Sequence, residues 1–162
     1  MNRSSSITTP LRTLCTLRWV AIAGQVVAVW LAVGMLRLEF PLLPLAAGIG
    51  ALALFNLYAT WRSRRGVPAS SREIVGHLLV DIAVLAWLVA WSGGIGNPFS
   101  SMFLIIIALA ALVLPLRGLL FIAAACVAGY VVIVAWGHDL PHMHGDSFNL
   151  HLWGMAVNFL LS

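Results

Sequence analysis

His77 and Asp81 stand four residues apart inside an otherwise apolar run, HLLVDIAVLAWLVAW. At helical spacing they share a face, so the carboxylate can hold the imidazole. Ionisable groups in such a helix either lock helices together or handle protons and ligands, and both uses stay open. Twelve residues beyond Asp81 comes GGIGNPF, Gly93 to Phe99. Gly93 and Gly94 can reach positive φ and end a helix. Pro98 pushes Asn97 out of the α region, which leaves the asparagine to cap a following helix with Pro98 in its first position. In that reading the stretch is a stop, a turn, a cap and a start. The same residues also offer helix N-terminal N–H groups and the positive end of a dipole. Trp87, Trp91 and Phe99 add aromatic faces, which together would suit a membrane-soluble ligand bearing carbonyls. A distance of ~18 Å along a straight helix keeps Asp81 away from that ligand.

A second polar cluster is GHDLPHMHGDSFNLH, with His138, Asp139, His142, His144, Asp146 and His151. Imidazole and carboxylate bind zinc or copper, which makes His138, His142 and His144 metal candidates. Their spacing fits no standard closed site, and a polar loop without metal is the expectation. A b-type haem needs axial ligands at one depth. His77 and His151 fall at opposite membrane faces, so no haem is expected. Cys15 and Cys126 lie far apart in apolar segments and read as small apolar side chains. Gln25, Asn56 and Asn158 interrupt apolar runs and read as interhelical hydrogen-bonding groups.

The elements that must carry these residues follow from composition. The chain has 162 residues, 62% of them hydrophobic and 9% charged, and its mean hydropathy is +1.01. A soluble domain usually carries about 25% charged residues, so this chain lacks the polar surface for one. Apolar runs fall at roughly 14–36, 42–61, 74–91, 99–114, 119–136 and 150–162. Lipid forces spanning backbone into helices or closed barrels, and long runs without two-residue alternation favour helices. The expected fold is an all-α integral membrane bundle of six transmembrane helices, with 1–13 as a cytoplasmic segment and 14–162 as a polytopic domain. The fourth run is short, ~24 Å as a helix against a hydrocarbon core of ~30 Å, so the GGIGNPF turn is expected to dip below the headgroups. The sixth run holds 13 residues, ~20 Å of helix, and is expected to be truncated.

All nine basic residues are arginines. Alternating spans place eight of them, Arg3, Arg12, Arg18, Arg62, Arg64, Arg65, Arg72 and Arg117, on one side, and only Arg37 on the other. The positive-inside rule then puts the N-terminus in the cytoplasm of a bacterial inner membrane. Arginines in such short loops meet lipid, and no nucleic-acid partner is expected. Trp19, Trp61, Trp87, Trp91 and Trp136 lie near span ends, as an aromatic belt would.

GGIGNPF resembles the GGxxNPF heptapeptide of the RegB/PrrB-type redox-sensing histidine kinases. LRTLCTLRWVAIAGQ, LLVDIAVLAWLVAWSGG and HLWGMAVNFLLS agree with that family along nearly the whole chain. The resemblance implies a six-helix membrane sensor domain that binds a ubiquinone-type quinone at Gly93, Gly94, Asn97, Pro98 and Phe99, with Trp91, Trp87, His77 and Asp81 as possible supporting residues. It implies a homodimer, and a signal passed through the sixth helix to a kinase and on to a response regulator. The family's phospho-accepting histidine, nucleotide site and redox-active cysteine lie downstream of the sixth span, so no catalytic residue is expected within these 162 residues. Two other classes stand beside the sensor: a quinone-interacting oxidoreductase subunit, for which no second redox centre is visible, and a membrane anchor that senses nothing. A transporter would call for repeats and midplane breaks, and the sequence shows no repeat.

Overall fold

The computed structural model describes residues 9–34, 41–65 and 69–137. Every regular element among them is helical. In chain order they are α1 (Thr9–Gly34), α2 (Leu42–Arg64), α3 (Ser71–Trp91), two 3₁₀ turns (Gly94–Gly96 and Pro98–Met102), α4 (Phe103–Val113) and α5 (Leu116–Trp136). Four of these, Leu11–Gly34 within α1 together with α2, α3 and α5, are long and apolar enough to cross a membrane. Leu43, Leu112 and Trp136 are 83%, 82% and 79% exposed. Apolar side chains displayed on this scale need lipid around them. The chain is an all-α, multi-pass membrane protein.

Two compact units divide after His77. In the first, α1 and α2 pack through Leu11, Cys15 and Ala59, with Ala69 lying against this cluster. α1 begins earlier than the apolar run at 14, because Leu11 buries on the same face and the helix continues to cover it. Arg12 and Arg18 are therefore helical residues, and Arg18 is no flanking anchor. It is 4% exposed. Its Nη1 donates to Asn56 Oδ1 at 3.3 Å and its Nη2 to the His77 carbonyl at 3.3 Å. The guanidinium also lies 5.1 Å from the Phe55 ring centroid, and the His77 ring is 5.0 Å from that of Phe55. Asn56, fully buried, donates from Nδ2 to the Cys15 carbonyl at 3.0 Å. Asn56 thus has the interhelical role expected of it, and the arginine beside it is the finding that hydropathy alone did not anticipate. At the start of α3, Ser70 Oγ accepts from the Glu73 N–H at 3.2 Å, as an N-cap does. The Glu73 carboxylate meets Arg62 at 3.2 Å.

The second unit holds α3 from Leu78 onward, both 3₁₀ turns, α4 and α5. Its core includes Leu78, Ile82, Val89, Phe103, Ile106, Ala110, Ile122, Cys126 and Ile133. Gly129 lets α5 approach closely: a Cβ there would stand 3.3 Å from both Ile82 and the Phe103 ring. The connector before α5 is shorter than PLRG. Leu114 and Pro115 are extended, and α5 starts at Leu116, so Arg117 and Gly118 sit in its first turn. The proline explains the break, since it holds the residue before it out of the α region. Both cysteines are buried free thiols. The sixth apolar run and the histidine cluster lie outside the described residues.

Gln25 and Asn56 are both amides in apolar helices, but Gln25 Oε1 has no hydrogen-bond partner among the described residues. Asn56→Leu is expected to lower unfolding stability by about 2–3 kcal/mol, because it deprives a buried guanidinium of an acceptor. Gln25→Leu is expected to shift it by less than about 1 kcal/mol in either direction. Denaturant titration of the detergent-solubilised chain, read by circular dichroism, checks the pair.

Candidate functional site

The turn after α3 is built around Asn97. Gly93 ends the helix with φ 118° and ψ 11°, and Gly94 follows at φ 57°. Only glycine takes these left-handed angles without a Cβ penalty. Asn97 is extended at φ −75° and ψ 122°, as a residue before proline should be. Its Oδ1 accepts from the Phe99 N–H at 2.9 Å, which is the expected cap. Its Nδ2 reaches back, donating to the Ser92 carbonyl at 2.9 Å and to Ser92 Oγ at 2.6 Å. Ser92 Oγ in turn donates to the Leu88 carbonyl at 2.6 Å. The Asn97 N–H bonds the Gly94 carbonyl at 3.1 Å, and the Ser100 N–H bonds the Asn97 carbonyl at 3.0 Å. One buried amide therefore links the end of α3 to the beginning of the next helix.

Two features were not read from the sequence. Ser92 is the second half of the asparagine's bonding, and its position five residues upstream is the only signal it leaves. Gly137, at the end of α5, lies so close to the turn that a Cβ on it would come within 2.9 Å of Gly94 Cα and would strike its own helix's Ile133 carbonyl. Gly93 and Gly94 are buried, while Gly96 is exposed and an added Cβ there meets nothing within 4 Å.

The next helix starts as 3₁₀, Pro98–Met102, before α4 takes over. At a rise of ~2.0 Å and then ~1.5 Å per residue, the stretch spans ~26 Å, still short of a ~30 Å core. Non-helical backbone inside a hydrocarbon layer has to be satisfied by protein, and Asn97 bonds this turn's backbone at Ser92, Gly94, Phe99 and Ser100. The N–H groups of Phe99 and Ser100, two of those expected to face a ligand, are occupied by Asn97.

Beside the exposed Gly96 and Ser101, the turn presents aromatic rings. Trp87 is exposed and Trp91 half-buried, with ring centroids 5.8 Å apart and planes tilted by 53°. Phe99 is half-buried just beyond the turn. From Ser92 to Met102 no residue is ionisable, so this surface can bind but cannot by itself transfer protons or electrons. His77 and Asp81 are one helical turn apart on α3. His77 is buried against Phe55 and Asp81 is half-buried. Of the metal candidates, His138, His142 and His144 lie outside the described residues.

Gly93→Ala forces an ordinary residue into φ 118°, and about 1–2 kcal/mol of destabilisation is expected. Asn97→Ala strips partners from Ser92 and Phe99, and about 2 kcal/mol is expected. Gly96→Ala is expected to cost less than about 0.5 kcal/mol. Unfolding of the three variants in detergent, with hydrogen exchange at the Phe99 amide, checks this ranking.

The family of PilS-like transmembrane domains matches residues 20–162. The chain is also 29% identical over 140 residues to the sensor histidine kinase RegB of Cereibacter sphaeroides, an alignment that takes in 86% of this chain. It spans about 30% of that protein's length. No solved structure matches it. The RegB-type resemblance carried by GGIGNPF thus extends over most of the chain, which belongs to the PilS-like transmembrane domain family.

Proposed function

We propose that the chain is the membrane sensor domain of a redox-responsive sensor histidine kinase, and that a ubiquinone-type quinone is the molecule it senses. The similarity to a sensor histidine kinase supports the class. The observation that carries the ligand is the aromatic surface beside the turn: an exposed Trp87, a half-buried Trp91 and a half-buried Phe99 next to a rigid, uncharged backbone. A neutral, planar, membrane-soluble ring suits that surface. Recognition here rests on ring contact, since both Asn97 N–H donors are spent on Ser92. Asn97 is then a positioning residue that shapes the turn under the ring. Signalling requires the ligand to favour one packing of the helices over another. The sixth helix would carry that difference to a kinase part beyond this segment, acting as a homodimer on a response regulator.

The proposed orientation has the N-terminus in the cytoplasm of a bacterial inner membrane. Removing the buried Arg18 from the arginine count leaves seven of the original eight on that side against Arg37 alone, so the bias stands. Reporter fusions check it: alkaline phosphatase is expected to be active after Gly96 and inactive after Arg65. The reverse pattern would invert the topology.

A second reading is favoured by the bonding of Asn97 itself. A turn so fully satisfied is also what a plain connector in a non-sensing anchor needs. Quinone titration of tryptophan fluorescence separates the two. Saturable quenching is expected in the wild type and should weaken about fivefold in Phe99→Ala, the worth of an aromatic contact of ~1 kcal/mol. Circular dichroism confirms that the variant is folded. Identical quenching in both proteins would mean partitioning into detergent, and the anchor reading would stand.

A further inference from the structure

A cleft of about 350 Å³ opens between α1 and α2, within the ~300–1,000 Å³ range of small-ligand pockets. Arg12, Thr16 and Trp19 line one wall at helical spacing, and Thr60, Ser63 and Arg64 line the other. Arg12 stands near the start of the apolar span Leu11–Gly34, and Arg64 closes α2. Both guanidinium groups therefore sit at a membrane surface. Trp19 is seven residues further along α1, ~10 Å deeper, near the depth at which tryptophan meets the acyl region. The cleft thus runs from headgroup level down to hydrocarbon.

No carboxylate among the described residues lines it. The carboxylates among the described residues are Glu73 and Asp81. Glu73 is paired with Arg62, and neither lines the cleft. The hydroxyl protons along the walls are spent on backbone: Thr16 donates to the Arg12 carbonyl at 3.0 Å, Thr60 to that of Asn56 at 2.7 Å and Ser63 to that of Thr60 at 2.8 Å. Two arginines facing one pocket repel each other unless an anion joins them. A phosphate group accepts paired N–H bonds from guanidinium. We propose that this cleft binds the phosphate of an anionic phospholipid, with Arg12 and Arg64 on the headgroup and Trp19 against the glycerol and upper acyl chain. The site is separate from the turn after α3, and its existence does not depend on quinone sensing.

Native mass spectrometry of the purified chain, titrated with phosphatidylglycerol and with zwitterionic phosphatidylcholine, tests the proposal. One phosphatidylglycerol is expected to be retained in preference to phosphatidylcholine. Arg12→Gln and Arg64→Gln should each weaken retention about fivefold. Arg72→Gln makes the same charge change at an exposed position outside the cleft and should leave retention unaltered. Circular dichroism confirms that all variants are helical. Equal losses in all three variants would reduce the effect to net charge and overturn the site. Displacement of the lipid by millimolar inorganic phosphate would assign the cleft to a soluble phosphate ester and overturn the lipid.

Discussion

Within a hydrocarbon layer a polar group has only the protein to bond to, and in this chain two asparagines meet that constraint where the helices cannot. Asn56 takes the Cys15 carbonyl on one side of its amide and the Arg18 guanidinium on the other. Asn97 takes both atoms of Ser92 and the N–H of Phe99. In each place one short side chain ties two segments together through polar bonds. Apolar contacts between membrane helices gain little over contacts with lipid tails. The geometry around such amides is therefore more narrowly set than the packing elsewhere.

Much of the fold could be read from the order of apolar runs and breakers, because lipid leaves so few options for backbone. The Gly-Gly stop, the extended Asn97 and the proline after it follow from local sterics, and local sterics are visible in a sequence. Ser92 was not visible, because its role depends on a side chain folding back over a turn. Gly137 was not visible either, since its need for small size comes from Gly94, far away in sequence. Arg18 shows a different blindness. Counted as a charge beside an apolar run it reads as an anchor at the membrane surface. Its burial follows from Asn56, Phe55 and the His77 carbonyl arriving from other segments.

The helix starts show the same division. Hydropathy marks where side chains become apolar, while a helix begins where its backbone can be capped or its first residues buried. α1 begins at Thr9, earlier than its apolar run, because Leu11 has a neighbour to cover it. α5 begins at Leu116 because Pro115 holds Leu114 extended and suits the start of a helix rather than its interior. The fourth span begins as 3₁₀ because Asn97 and Pro98 set the first turn before α-helical bonding can.

Arginine, the only basic residue type here, occupies several environments with different consequences. Arg18 is buried and held by an amide oxygen, a backbone carbonyl and a ring, so it contributes to helix–helix specificity and little to orientation. Arg62 is held by Glu73, and Arg65 lies 3.7 Å from the centroid of the Trp61 ring. The first ties the end of α2 to the start of α3, and the second closes over the last turn of α2 itself. Arg12 and Arg64 face a shared cleft that no carboxylate among the described residues lines. A guanidinium keeps its charge in every one of these settings, so what differs is the acceptor that each position provides. A charge count treats the arginines alike. The structure separates them by acceptor, and Arg12 and Arg64, facing one cleft at a helix end, are placed to hold an anion together.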